Sequence, residues 1–591
     1  MAKKERYQFK RIYMVPVILA SVIIPLIVYM KRIKIDGILY ESWNGDSDFG
    51  EFFSYYKSVI LLIAAILAVV MIINNWRKLP TFRMQNDFIP AIIYIIFVFI
   101  STITSEYLEV ALSGYNERYE GALALISYII ICFYTANFIQ SEEKIKSTFV
   151  IMGVSCTIIG IIGLLQYVGY DPLQTTFGMK LILPKEYHQY ADSIKFTYAG
   201  NIITGTLNNP NYVGSYSCML LLITLGLFYY FKNTKERVIV GIVFCGFSFV
   251  LWIGSMSRAG LVGGILGIVI LLIMQFKKIL SDWKYTSGIL IYFVIIYFAM
   301  NSFTGGRVVS EFNNINPVKE RSRIEQRKNI LYIEEITTQR NQLVVKTSKE
   351  TLKIEYNDGK IEFFDEFNNR IESIYKGEIF TFESEDYSKY KLATVIEGAE
   401  YILNIGENAI RLNYDDNEFQ YLRVTGNTMK VRNAETLSIL DGREAFGSGR
   451  GFIWSRTIPM IKETIFIGHG PDTFAIYFPQ WDLAGKINGL RNPNTMVDKP
   501  HNWYMQIAVN TGLLSMISIV SFILVYCYKV LLLYIKSPNK DCLILQSVTF
   551  SAVISYCIAG FFNDSVVAVS PVFWVILGLG IAHNREIKAL L

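Results

Sequence analysis

The chain has 591 residues, of which 52% are hydrophobic and 18% charged, with a mean hydropathy of +0.34. Soluble domains carry about 25% charged residues; here charges vanish over runs of roughly twenty residues, the length that crosses a hydrocarbon layer. The net charge of +6 sits mostly in short loops beside those runs, a pattern of membrane topology that excludes an ordinary soluble domain and a nucleic-acid footprint.

Backbone polar groups in lipid must pair internally, so the apolar runs read as helices. About twelve spans are predicted, near 12–30, 57–75, 88–104, 119–139, 148–168, 212–231, 238–254, 259–276, 286–300, 508–528, 542–562 and 569–583. The first follows MAKKERYQFKR. It is too long for a signal-peptide core and lacks an obvious small-residue cleavage site, so it reads as a retained helix. With that end inside, the segments WRKLPTFR, SEEKIK, KNTKER, KKILSDWK, KVLLLYIKSPNK and REIK also fall inside, and all are basic. The loops 105–118 and 563–570 fall outside and are nearly free of Lys and Arg. Lys31, Arg32 and Lys34 run against this pattern. Both termini are therefore expected in the cytoplasm.

Cys132, Cys156, Cys218, Cys245, Cys527, Cys542 and Cys557 all lie in or beside expected spans. They form neither a disulfide framework nor a CxxC metal pattern.

Two outer segments are long, 169–211 and about 301–507. The expected organisation is a membrane domain over 1–300 with about nine spans, an extracytoplasmic region over 301–507, and a second membrane domain over 508–591 with about three. Within the outer region, 318–336 reads as a helical lead-in. The period then changes to two. Leu352, Ile354 and Tyr356 alternate with Lys353 and Glu355, Asn357-Asp358-Gly359 supplies a turn, and Ile361 and Phe363 alternate again. The pattern recurs around Asp415-Asp416-Asn417. An antiparallel β module is predicted at about 340–435, followed by a helix from about 450.

Three patches on the expected outer face carry chemistry. Ser255-Met256-Ser257-Arg258-Ala259-Gly260 places an arginine between two apolar runs, where it needs water or a partner. Gly447-Ser448-Gly449-Arg450-Gly451 opens a helix. There Ser448 could serve as cap, and the free N–H groups and the Arg450 fork suit phosphate. Pro500-His501-Asn502-Trp503-Tyr504 brings a histidine, able to act as general base, to the membrane surface. Each has a plainer reading: a snorkelling arginine, a surface arginine, a structural histidine. No nucleotide-binding strand-turn-helix and no His/Cys metal set is present in the sequence. Cations without a metal suit a departing diphosphate.

The patches resemble the O-antigen ligase and Wzy-type polymerase superfamily, membrane glycosyltransferases of the GT-C type. The resemblance begins with Arg118-Tyr119-Glu120-Gly121, Gln166 before Gly169, and Leu207-Asn208-Asn209-Pro210-Asn211. It continues through Ser257-Arg258-Ala259-Gly260, Arg450 with Ile453-Trp454, Gly468-His469-Gly470-Pro471-Asp472-Thr473-Phe474, and His501-Asn502 with Gly512-Leu513. It implies an all-α polytopic fold, GT-C-like, into which the β module is inserted. It implies transfer of a glycan from undecaprenyl diphosphate to an acceptor hydroxyl, without metal or cofactor and with inversion. The acceptor is a glycan, lipid or protein. By motif matching, Arg258 and Arg450 bind the diphosphate and His501 activates or positions the acceptor. Arg118, Asn211, Asn502 and Arg456 line the substrate pocket. The β module departs from the shorter, helical outer loop of many members. The alternative is a polytopic transporter or exporter of a surface-polysaccharide precursor, against which stands the lack of an internal repeat.

Overall fold

The computed structural model describes residues 11–75, 86–198, 200–313, 332–396, 399–538, 540 and 543–590. The chain is mostly helical, with a β region inserted between two groups of apolar helices. The helices used below are α1 Arg11–Leu26, α2 Tyr55–Asn75, α3 Asn86–Ile103, α4 Ala122–Phe138, α5 Glu142–Tyr167, α6 Pro210–Tyr230, α7 Thr234–Gly254, α8 Arg258–Met274 and α9 Trp283–Phe303. After the β region come α10 Phe446–Glu463, α11 Leu483–Leu490, α12 Trp503–Asn510, α13 Leu513–Lys536, α14 Ile544–Ala559 and α15 Ser570–Leu590. Seven of them (α2, α3, α5, α6, α7, α9 and α13) are long and apolar enough to cross a membrane. Shorter apolar helices, α1, α4, α8 and α14, occupy other expected spans, and α15 overlaps the last.

Two expected spans are corrected. The first ends at Leu26, where Ile27 turns to extended backbone (φ −70°, ψ 131°). The chain then extends into β1 Lys31–Lys34, which pairs with β2 Asp48–Glu51. The tenth span does not begin at 508. A separate helix, α12, ends at Asn510, and Gly512 at φ +110° turns the chain into α13. Only glycine adopts that angle without strain.

The carbonyls freed where α1 stops are gathered by Lys57, buried in the first turn of α2. Its Nζ donates to the carbonyl oxygens of Ile27 at 2.6 Å, Thr206 at 3.0 Å, Ile24 at 3.1 Å and Pro25 at 3.4 Å. A cation here also faces the negative end of the α1 dipole. Lys57→Met keeps the bulk but strands these carbonyls. A loss on the order of 3 kcal/mol is expected, read as a lower melting temperature of the detergent-solubilised chain. An unchanged melting curve would show that the contacts are dispensable.

α6 is the axis of the bundle: 94% of its most apolar window is buried, against 11% for the peripheral α9. Small residues bring its neighbours close. A Cβ on Gly260 would lie 2.6 Å from the Cα of Gly214, and one on Gly263 would lie 2.5 Å from the Ser555 carbonyl. This close approach of α6, α8 and α14 sets the first turn of α8, and so Arg258, beside the first turn of α6.

The β region holds two antiparallel meanders, β3–β6 and β7–β13, spanning Ile333–Phe364 and Ser373–Met429. The expected turns are present. Asp358 and Gly359 (φ 46° and 79°) join β5 Thr351–Asn357 to β6 Lys360–Phe364, with Asn357 facing Lys360. Asp416 and Asn417 (φ 49° and 60°) join β11 Asn408–Asp415 to β12 Glu418–Leu422. Two consecutive positive-φ residues match the twist of a hairpin. The inner faces of both sheets share one core, including Leu343, Ile354, Leu403, Leu412 and Phe419, and Leu483 and Ile487 of α11 close it. Most of the expected helical lead-in lies outside the described residues. Its end, from Ile333, is strand β3 (Ile333–Gln339), because Ile333 and Ile336 enter that core.

Candidate functional site

The site lies where the first turns of α6 and α8 meet the turn between α14 and α15. Four consecutive residues of that turn each hold a different element. The Phe562 carbonyl accepts from Arg450 Nη2 at 2.8 Å and Nε at 3.2 Å. Asn563 donates to the Asn211 carbonyl at 3.1 Å and to Ser215 Oγ at 2.8 Å. The Asp564 carboxylate is 3.1 Å from His501 Nδ1. The Ser565 hydroxyl donates to Glu120.

Arg450 follows a run of left-handed residues, Gly447, Ser448 and Gly449 at φ 60°, 61° and 91°. The helical part of α10 therefore opens at the arginine. Ser448 is not the cap, contrary to expectation, since its backbone (φ 61°, ψ 46°) belongs to the left-handed turn. Arg450 Nη1 also donates to the Gly447 carbonyl at 2.9 Å. Its acceptors are carbonyls, and among the described residues no carboxylate lies at contact distance to cancel its charge. Burial, with Arg258 nearby, holds its pKa below the usual arginine value, opposed by Asp564.

Arg258 is the first residue of α8, which Ser257 caps by accepting from the Gly260 N–H at 3.3 Å. Its Nε meets Glu311 Oε2 at a long 3.4 Å, and its side chain is 35% exposed. Asn211 Oδ1 accepts from the Ser257 hydroxyl at 3.1 Å and ties α6 to this turn. Asn502 caps α12, accepting from the Met505 N–H at 3.0 Å, and donates to the Phe561 carbonyl at 3.0 Å. Both asparagines thus position their neighbours.

Two predicted arginines sit in closed ion pairs. Arg118 Nε is 2.6 Å from Asp472 Oδ1, and both side chains are almost fully buried. The other Asp472 oxygen accepts from the backbone N–H of Tyr115 at 2.7 Å and of Glu120 at 3.2 Å. This explains the motif around His469, whose turn presents Asp472. Arg456 is 2.8 Å from Asp482 Oδ2, against α11 and the β region. The structure brings Arg258, Arg450 and His501 together, with Arg118 just behind them. It does not bring Arg456 there.

Sequence reasoning missed Asp564, Lys499 and Asp498. Lys499 is half-buried beside Asp498 at 3.0 Å and donates to the Tyr212 hydroxyl at 3.3 Å. Burial works against its charge, but Asp498, Tyr212 and Asp564 outweigh it and raise its pKa. Burial likewise works against the Asp564 charge. His501, Lys499 and Arg118 outweigh it and hold the carboxyl well below the usual range. A signal existed: Asn563-Asp564-Ser565 is a polar triplet between two apolar runs, which in a membrane protein marks function by default.

Left-handed backbone gathers here at residues other than glycine. Tyr119, Asn208, Met256, Ser448, Asp472 and His501 all have positive φ. Such residues cost of order 1–3 kcal/mol each and persist where the surroundings over-determine them, typically at functional sites.

Burial raises the Glu120 carboxyl to about 7, against the pull of Arg118 and the Ser565 and Tyr128 hydroxyls. A raised folded pKa means that the fold keeps a proton which the unfolded chain releases. Between the ordinary value of 4.5 and about 7, stability therefore falls as pH rises. Glu120→Gln mimics the protonated form and should flatten that fall. Melting temperatures of both proteins across the window test this, and parallel curves would refute it.

The apolar helices define a membrane protein. A family model described as O-antigen ligase matches residues 409–520, from β11 into α13, a stretch that contains Arg450, Asp472, Lys499 and His501. The match supports membership of the O-antigen ligase and Wzy superfamily, in line with the motif resemblance. No curated protein and no solved structure matches the chain.

Proposed function

We propose that the chain transfers a glycan from an undecaprenyl-diphosphate-linked donor to an acceptor hydroxyl at the extracytoplasmic membrane surface, as a ligase or polymerase of cell-surface polysaccharide. The observation that carries the reading is the meeting of Arg450, held by carbonyls alone among the described residues, and Arg258, whose Nε stands a long 3.4 Å from Glu311, with a histidine–aspartate pair. The family match supports the ligase or polymerase class.

In this reading the acceptor oxygen attacks the anomeric carbon as the carbon–oxygen bond to the diphosphate breaks. The bonding electron pair leaves with the diphosphate, whose growing charge Arg258 and Arg450 stabilise. The acceptor proton passes to His501 Nε2, while Nδ1 stays engaged with Asp564. A single displacement inverts the anomeric centre. No step needs a metal ion, and EDTA is expected to leave the rate unchanged. Arg118, Asn211 and Asn502 shape the pocket from behind, and Arg456 belongs to the packing of α10 on α11.

The test is incubation of the full chain, reconstituted in vesicles, with a defined undecaprenyl-diphosphate glycan, followed by product analysis. The expected result is one polyprenyl diphosphate released per glycosidic bond formed, with inverted configuration. Donor accumulating across the bilayer without bond formation would favour an exporter and overturn the reading.

A further inference from the structure

A second pocket lies at the far end of the bundle. α13 begins at the C-terminal end of α10, where Leu513 N donates to the Thr464 carbonyl. Its 24 residues carry it about 36 Å away. From Phe522 to its end, α13 encloses with the last turns of α15 a groove of about 790 Å³. Its walls are apolar, with Phe522, Val525, Leu532 and Ile581. Its rim is cationic, with Lys529, Lys536, Arg585 and Lys588 against one carboxylate, Asp87.

Lys529 pairs with Asp87. Lys536 and Lys588 are exposed and have no ion pair among the described residues. Arg585 Nη1 donates to the Ala136 carbonyl at 3.1 Å and to Asn137 Oδ1 at 3.0 Å. Its Nε and Nη2 are buried without a hydrogen-bond partner among the described residues. Lysines at helix C-termini offset the macrodipole in many proteins, but that role explains neither an apolar hollow nor a half-satisfied guanidinium. Leu524, Leu531 and Ile535 continue the apolar surface along the outside of α13, all strongly exposed.

We propose that this groove binds one anionic phospholipid, its phosphate among Lys536, Arg585 and Lys588 and its acyl chains along Phe522, Val525 and the outer face of α13. The chemistry is that of a basic pocket between membrane helices, which selects acidic head groups. The apolar walls favour a lipid over a free phosphate ion. The site is separate from the glycan-transfer reading and stands without it.

Native mass spectrometry of the full chain released from nanodiscs tests the proposal. The wild-type chain should retain phosphatidylglycerol and shed phosphatidylcholine. Lys536→Gln with Lys588→Gln changes exposed positions only and should weaken phosphatidylglycerol retention by roughly thirty-fold, about one kilocalorie per lysine. Arg585→Gln should weaken it further. Equal retention of the two lipids by the wild-type chain would overturn the proposal. So would unchanged retention in the double variant, or displacement of the bound lipid by millimolar inorganic phosphate, which would indicate an anion site.

Discussion

Replacing Arg450 with alanine is expected to lower the rate of glycan transfer by about 10²–10³-fold, the typical effect of losing one preorganised charge-stabilising donor. What each cation touches decides how much charge it can offer. Arg118 and Arg456 are neutralised by Asp472 and Asp482 at 2.6 and 2.8 Å. A cation already paired in the fold has little to offer a leaving group. Arg450 is held by two carbonyls, which orient the guanidinium without cancelling its charge. Three of its five N–H groups are so engaged, leaving two for a ligand. Arg258, whose one ion pair among the described residues is the long contact to Glu311, is similarly available, and its alanine variant should show a loss of the same order. Arg450→Lys should recover part of the rate, since it restores charge but not the planar fork. Arg456→Ala should instead lower stability. The measurement is initial rate with a polyprenyl-diphosphate glycan, alongside a melting curve for each variant. Full activity of Arg450→Ala would overturn the assignment of the diphosphate site.

Asp564→Asn is expected to cost about 10²–10⁴ in turnover with little change in KM. The amide has the shape of the carboxylate, so the fold around it should survive. The change is in the proton. A carboxylate accepts from His501 Nδ1–H and leaves Nε2 with its lone pair. An amide can donate to Nδ1, which moves the proton to Nε2 and removes the base. A stability readout separates this from simple misfolding. The folded pKa of Asp564 is depressed, so its contribution is present above the ordinary carboxylate value of about 4 and is lost as pH falls through the lower folded value. The wild-type chain should therefore melt higher than Asp564→Asn at neutral pH, and the gap should close in acid. A variant that turns over normally would show that Asp564 only packs.

Much of the architecture could be read from the chain because its signals are local. Apolar runs locate the helices, and the Asp358-Gly359 and Asp416-Asn417 pairs locate hairpins, through constraints acting within a few residues. The misreadings have local causes too. The extended backbone of Ile27 ends a helix that hydropathy alone carries onward, and Gly512 splits another. The site was legible only in part. His501, Arg258 and Arg450 stand out by being polar where polarity is costly. Asp564 lies in such a polar triplet as well, but its role depends on His501, 63 residues away in sequence. The same holds for Arg456, whose partner Asp482 separates a buried structural arginine from a ligand-binding one only once the fold is known.

The β region also changes how its role should be probed. Excising 340–435 uncovers Leu483 and Ile487 of α11, which complete the core of the sheets, and α11 packs on the helix that carries Arg450. Loss of transfer after such a deletion would report damage to α10 as readily as loss of an acceptor site.

The turn from Phe562 to Ser565 behaves as a ruler. Each of its residues is addressed to a different partner, so its information lies in its spacing as much as in its side chains. Inserting one alanine after Phe562 would delete no functional group. It would nonetheless hand the place facing His501 to an asparagine and move the aspartate on to Glu120. Natural variation should therefore alter residues here before it alters length, and a library of single insertions scanned along the chain should find one of its sharpest intolerances at a segment that carries no catalytic arginine or histidine of its own.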